Sequence, residues 1–141
     1  MLLGMKRARG NQVHDDAASY DCPRFPFMAL DLYKVSLNSV RWVHDLLRES
    51  ELRTRLRRKL DESTTGTVLN IAEGHGRSNV VDQNRFMKTA EEHVFQTLIV
   101  LDLMVARGEA KEASVENGKS IQARIIAMLH AWRTSNEKKR G

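Results

Sequence analysis

At 141 residues the chain is long enough for one domain with a real core, and a hydrophobic fraction of 41% is ordinary for a soluble globule. A single cysteine, Cys22, excludes an internal disulfide framework and any metal site built on several thiolates. Lysine and arginine outnumber aspartate and glutamate by 23 to 18, and the resulting net charge of +5 favours an acidic partner.

Residues 1–25 show no sustained periodicity and contain Gly4, Gly10, Asn11 and Pro23. They read as a flexible basic arm, without an apolar run of signal-peptide length. The first predicted helix opens at Pro26, a residue suited to a first turn, and ends near Ser50. Leu30, Tyr33, Leu37, Val40, His44 and Leu47 recur at helical spacing and predict its bundle-facing stripe. Leu32, Val35, Trp42 and Leu46 form a second apolar stripe on the other side. The second helix begins near Leu52, with Leu56 and Leu60 and then Thr67, Val68, Ile71 and Ala72 on one face. Its middle, "ESTTGT", has low helix propensity and predicts either a kink or a close helix contact.

The third helix runs from Val80 to Arg107 with Asn79 as its N-cap. Its core stripe is Met87, Ala90, Val94, Leu98, Leu101 and Val105, and Phe95, Ile99 and Leu103 form a second one. Gly108 ends it. Ser114 is the predicted cap of the fourth helix, which buries Ile121, Ile125, Met128, Leu129 and Trp132. Residues 136–141 are then expected to run out as a disordered tail. No segment alternates with the period of a strand. Four helices of about 20 residues, each roughly 30 Å long, predict an all-α, antiparallel up-down-up-down four-helix bundle over residues 26–135. The richest apolar stretch is broken by Gln96 and Asp102 and is too short for a bilayer, so a cytoplasmic protein without membrane association is expected. Leu32, Val35, Trp42, Leu46, Phe95, Ile99 and Leu103 exceed what one bundle can bury and predict a homo-oligomer interface.

Familiar catalytic patterns fail on their spacing. Gly74-His75-Gly76 lacks the third glycine of a dinucleotide loop, since Asn79 stands there and no strand leads in. Gly118-Lys119-Ser120 ends like a nucleotide-binding loop, but Ala113 occupies the place of its first glycine. No histidine has a glutamate three residues before it, and His44 and His93 read as core histidines. Glu73 with His75 offers an acid–base pair without a nucleophile or second carboxylate. A non-enzymatic protein with no metal and no cofactor is expected.

The basic residues are better organised. "LRTRLRRKL" sets Arg53, Arg55, Arg57, Arg58 and Lys59 among leucines that turn inward, leaving five cations on the solvent side. Arg77, Arg85 and Lys88 form a second group around the start of the third helix. Such groups bind phosphate backbones through counterion release, without base specificity. Glu49, Glu51, Asp61, Glu62 and Glu92 are near enough to make both groups simply solvated, balanced faces. Aromatic residues that could stack bases are scarce.

"NIAEGHGRSN" (residues 70–79), with Phe86 and Ala90 on the next helix, resembles the four-helix bundle family first associated with intervening sequences in large-subunit ribosomal RNA genes. Asn70, Ile71, Ala72, Glu73, Gly74, Gly76 and Arg77 match its N-I-A-E-G-x-G-R signature, and "ALDLYKVSLNSV" is similar to its first helix. The resemblance covers roughly residues 28 to 134. It departs at "EEHVFQ" (Glu91 to Gln96), where the family often carries a glycine-serine pair. It implies a bacterial cytoplasmic bundle of the kind that forms cyclic pentamers, with no established catalytic activity. A related accessory protein of diversity-generating retroelements binds nucleic acid and a reverse transcriptase.

The expectation is therefore a homo-oligomer, pentameric on the resemblance, that binds nucleic acid, RNA foremost, through the second helix and its corner with the third. The competing expectation is a scaffold docking an acidic protein such as a reverse transcriptase. Within the corner, Gly74 is expected as a left-handed helix stop and Glu73 as a partner of Arg77 or Arg85. Asn70 is expected to bond across to another helix or loop.

Overall fold

The computed structural model describes residues 26–49 and 55–140, so the arm over 1–25, Cys22, Leu52 and Arg53 lie outside the described residues. A short 3-10 turn, Pro26–Ala29, leads into α1 (Asp31–Glu49), followed by α2 (Arg57–His75), α3 (Val80–Ala106) and α4 (Glu112–Arg140). Among the described residues there is no strand. α1 packs along α2 and α4, and α3 packs along the same two, so the four helices ring a common interior.

The helix ends follow from local chemistry. Asn79 Oδ1 accepts hydrogen bonds from the backbone N–H groups of Val81 (2.7 Å) and Asp82 (3.2 Å), capping α3 as its sequence predicts. Gly108 takes φ +73° beyond the other end. There the Gly108 N–H donates to the Val105 carbonyl at 3.0 Å, and the Glu109 N–H to that of Met104 at 2.8 Å. A side chain would resist that left-handed backbone, which is why glycine stands there. Ser114 is not a cap: α4 already starts at Glu112, and the Ser114 N–H donates to the Lys111 carbonyl inside its first turn.

The stripes predicted for α1 are largely exchanged, although Leu47 of the first is buried and Leu30 and Tyr33 pack against the core. Leu32, Val35 and Leu46 are buried in the bundle with Val43 and Leu47, while His44 is exposed and Leu37 and Val40 are half-buried. Both faces of α1 carry apolar residues at helical spacing. The buried one also holds Ser36 and Ser39, which makes it read as the more polar of the two.

Those serines belong to a larger feature. One apolar cluster gathers Val43, Leu46, Leu47, Leu56, Leu60, Val100, Leu101, Met104 and Val115. A second gathers Leu32, Val35, Ile71, Met87, Ala90, Val94, Ile125 and Leu129. On every helix the residues between the two clusters are buried and polar: Ser36 and Ser39, Ser63, Thr64 and Thr67, Thr97, and Gln122. A polar belt thus divides the core.

Its members find partners locally or across the belt. Thr64 and Thr67 hydroxyls donate to the carbonyls of Leu60 (2.8 Å) and Ser63 (2.9 Å), which lets "ESTTGT" stay helical while buried. Ser63 and Thr97 hydroxyls meet at 2.6 Å, and Gln122 Nε2 donates to Ser39 Oγ at 2.6 Å. Each hydroxyl has one proton to give. Ser63 faces a Leu60 carbonyl at 3.3 Å that Thr64 already occupies, whereas Thr97 has the His93 carbonyl at 3.1 Å. The consistent arrangement is Ser63 donating to Thr97, and Thr97 donating to His93.

α4 continues through residues 136–140, where a disordered tail was expected. Asn136 is buried, and its Nδ2 donates to Gln83 Oε1 and Asn84 Oδ1, both at 3.0 Å, fastening the end of α4 to the start of α3. Further along, Arg133 pairs with Glu91 at 2.8 Å and Lys119 with Asp102.

Candidate nucleic-acid interface

Leu56 and Leu60 are buried, so the helix turns Arg57, Arg58 and Lys59 outward, and Arg55 precedes them on the exposed side. Among the described residues the start of α2 is rich in cations. Its N-cap, Leu56, offers no side-chain hydrogen bond, and its first turn holds no acidic residue. A helix N-terminus already carries about half a positive charge, so cations placed there repel it instead of balancing it. Arg58 pairs with Glu62 at 3.4 Å, with both side chains largely exposed, an interaction worth little in water. Arg57 Nη2 donates to the Leu47 carbonyl at 3.3 Å, near the end of α1. Arg55 and Lys59 have no carboxylate partner among the described residues.

The second basic group is differently placed and better neutralised. Arg77 pairs with Glu73 at 3.7 Å and lies 4.7 Å from the centre of the Phe86 ring. Arg85 pairs with Asp82 at 3.1 Å, while Lys88 is exposed. With 19 residues in α2, the two groups stand about 27 Å apart at 1.5 Å per residue. They are not one patch.

The motif at this corner is structural. Glu73 takes Arg77 as its partner, as expected. Gly74 is not a left-handed stop. The helix continues to His75, and Gly76 follows with φ −81°. Gly74 is buried where a Cβ would fall 2.7 Å from Phe86 Cβ and 3.1 Å from Met87 Cε, so glycine is there for close approach. Asn70 Nδ2 bonds to the Gly66 carbonyl of its own helix at 2.7 Å, not across to a neighbour. Ile71 is fully buried. Glu73 and His75 serve different partners, since the His75 ring meets Trp132 edge-on at 5.2 Å between centroids.

Beside this corner His75, Gln83, Trp132, Ser135, Asn136 and Lys139 line a cleft of about 390 Å³. Of its α4 residues, Trp132 lies on the predicted core face, while Asn136 and Lys139 escape a reading that ends the fourth helix early. The available signal is the 4-3-4-3 series Ile125, Leu129, Trp132, Asn136, Lys139, which keeps one face past the last apolar residue.

The predicted oligomer residues divide. Leu32, Val35 and Leu46 are core, for the reason given for α1, and Trp42 is half-buried with its ring against Gly118. On α3 the second stripe is on the surface, with Phe95, Ile99 and Leu103 at 46%, 58% and 43% exposure. Ile99 and Leu103 share a cleft of about 330 Å³ with Lys59 and Glu62, which brings the apolar stripe against the basic start of α2.

Among the described residues no three His, Cys, Asp or Glu side chains gather as a metal site would require, and no helix is long and apolar enough to cross a membrane. No family model and no curated protein matches the chain.

Proposed function

We propose that this chain is a non-enzymatic cytoplasmic bundle that self-associates and binds nucleic acid, RNA foremost, through the start of α2. One observation carries the reading: Arg55, Arg57, Arg58 and Lys59 are all exposed at the start of α2, whose first turn holds no acidic residue. That excess of positive potential is stabilised by a bound polyanion. The topology is antiparallel and up-down-up-down, supported by Gly66 against His93 and Gly74 against Phe86, and by Trp42 against Gly118. The resemblance of "NIAEGHGR" to the ribosomal intervening-sequence family supports the same reading, and the pentamer rests on that resemblance alone.

Binding is tested by fluorescence anisotropy with duplex and single-stranded RNA across a salt series. The Arg55→Glu/Arg58→Glu/Lys59→Glu variant is expected to bind about 30-fold more weakly and to lose about 3 from the slope of log affinity against log salt. Arg85→Ala, which removes an already paired cation, should change affinity by less than about threefold. A flat salt dependence, or unchanged binding in the triple variant, would refute the interface. Co-purification with an acidic protein in place of RNA would point to the scaffold.

Self-association is read by light scattering. Ile99→Glu places a charge in the exposed α3 stripe without touching the core and is expected to reduce the particle to a single chain. RNA affinity should then fall by about tenfold, because avidity from neighbouring basic groups is lost. An unchanged mass in this variant would remove the α3 stripe from the interface.

A further inference from the structure

The cleft at the other end of α2 has a composition unlike its neighbours. Three other surface clefts each include a carboxylate: Asp45 and Glu109 in one, Glu62 in another, Asp31 in the third. The cleft of His75, Gln83, Trp132, Ser135, Asn136 and Lys139 has none. Its charged lining group is a cation, its hydroxyl comes from Ser135, and its aromatic walls are an indole and an imidazole. An anion entering it meets donors and no repulsion.

The polar wall is held in place. Gln83 uses both ends of its amide, with Nε2 donating to the Arg77 carbonyl at 2.6 Å and Oε1 accepting from Asn136. Asn136 spends its Nδ2 on Gln83 and Asn84, which leaves Oδ1 as an acceptor with no partner in the fold. Two further ring nitrogens, His75 Nδ1 and Trp132 Nε1, are enclosed and have no hydrogen-bond partner. Unmade bonds of that kind destabilise the free protein, and both rings line the cleft where a ligand would lie. A volume of about 390 Å³ is far more than a bare phosphate fills and falls within the usual range of small-molecule sites.

We propose that this cleft binds a nucleoside monophosphate group. The phosphate lies against Lys139 and Ser135, and the nucleoside lies along Trp132 and His75, with Asn136 Oδ1 accepting from a sugar hydroxyl or base amine. Such a group occurs as a free mononucleotide or as the phosphorylated end of a strand. The proposal rests on the nucleic-acid reading only in taking a nucleotide as the carrier of the phosphate, and the site is separate from the start of α2.

The test follows the two indole N–H resonances in nitrogen-15 spectra of the full chain, with the Trp132 signal identified as the one retained in Trp42→Phe. Adenosine monophosphate should move the Trp132 resonance saturably at millimolar concentration or below, adenosine should leave it in place, and Lys139→Glu should weaken the response by about tenfold. Lys139 is exposed near the end of α4, so the variant keeps its fold. A 5′-phosphorylated oligonucleotide acting about tenfold more tightly than the mononucleotide identifies the strand end as the source, and equal or weaker action identifies the free nucleotide. A Trp132 resonance unmoved by both probes, moved as far by adenosine, or moved equally in Lys139→Glu overturns the proposal. The Arg55→Glu/Arg58→Glu/Lys59→Glu variant separates the two failures. It should lose RNA binding and keep the Trp132 response to the mononucleotide, whereas loss of both makes the cleft part of the α2 site and overturns its separate role.

Discussion

Gly74→Val is expected to destabilise the fold by about 3 kcal/mol, lowering the thermal midpoint by about 10 °C for a chain of this size. Two effects compete. Valine gains helix propensity over glycine at this position, worth less than about 1 kcal/mol. Against it stands Phe86 Cβ, 2.7 Å from where the new Cβ must sit. That atom is fixed to the α3 backbone and cannot turn aside, so relief requires α2 and α3 to separate at the corner. Separation also strips Arg77 from the Phe86 ring and loosens the packing of Met87. Gly118 provides the control. Its added Cβ would run into the outer edge of the Trp42 ring, and Trp42 borders an open cleft into which it can swing. Gly118→Ala is therefore expected to change stability by no more than about 1 kcal/mol. Urea melts of both variants measure the difference, and equal midpoints would contradict the close-approach account of Gly74.

Leu101→Ala is expected to cost about 3 to 4 kcal/mol, through lost apolar transfer and the cavity that remains. Leu101 is fully buried and belongs to the cluster of Leu60, Met104 and Val115 at the far side of the polar belt. The neighbouring belt bears on the size of the effect. Ser63 and Thr97 are tied to each other, and Thr97 to its own helix, so they cannot lean in to fill the gap without giving up a buried bond. Val81→Ala, on the same helix but 47% exposed, should stay within about 0.5 kcal/mol of the parent. Chemical denaturation monitored by helical circular dichroism reads both, and a cost below about 1 kcal/mol for Leu101→Ala would mean that this cluster is not packed as described.

Legibility in the sequence tracked how apolar each buried face is. On α3 Met87, Ala90, Val94 and Leu101 are legible because they are both apolar and buried, as is the surface stripe at Phe95, Ile99 and Leu103, whereas Leu98 and Val105 are half-buried and the core takes Val100 and Met104 instead. On α1 the periodicity points mostly to the wrong face, with Leu47 the exception. Ser36 and Ser39 occupy its buried face, and its other face presents an apolar run at equally good spacing. Buried polar residues also obscure α4, where Gln122 of the belt and Asn136 near the helix end face inward and the last turns look like a charged tail. Periodicity detects hydrophobic burial; it does not detect polar side chains that are buried because they bond to one another. Gly74 illustrates another limit. Glycine near a helix end is more often a left-handed stop, and only the position of Phe86 shows that here it makes room. The basic residues were all visible, but not their separation to the two ends of α2, nor the neutralisation of Arg77 and Arg85 by Glu73 and Asp82.

The two cross-links of the polar belt are unequal in the chain entropy they cost. Ser63 and Thr97 are 34 residues apart in the chain, whereas Ser39 and Gln122 are 83 apart. Closing the longer loop costs about 0.8 kcal/mol more in chain entropy, and the shorter one is aided by a turn of only residues 76–79 between α2 and α3. On chain entropy alone, the link between α2 and α3 is the less costly of the two, and the link between the first and last helices the more costly. The costlier link lies on the same seam as the Trp42–Gly118 contact, which joins α1 to α4 as well.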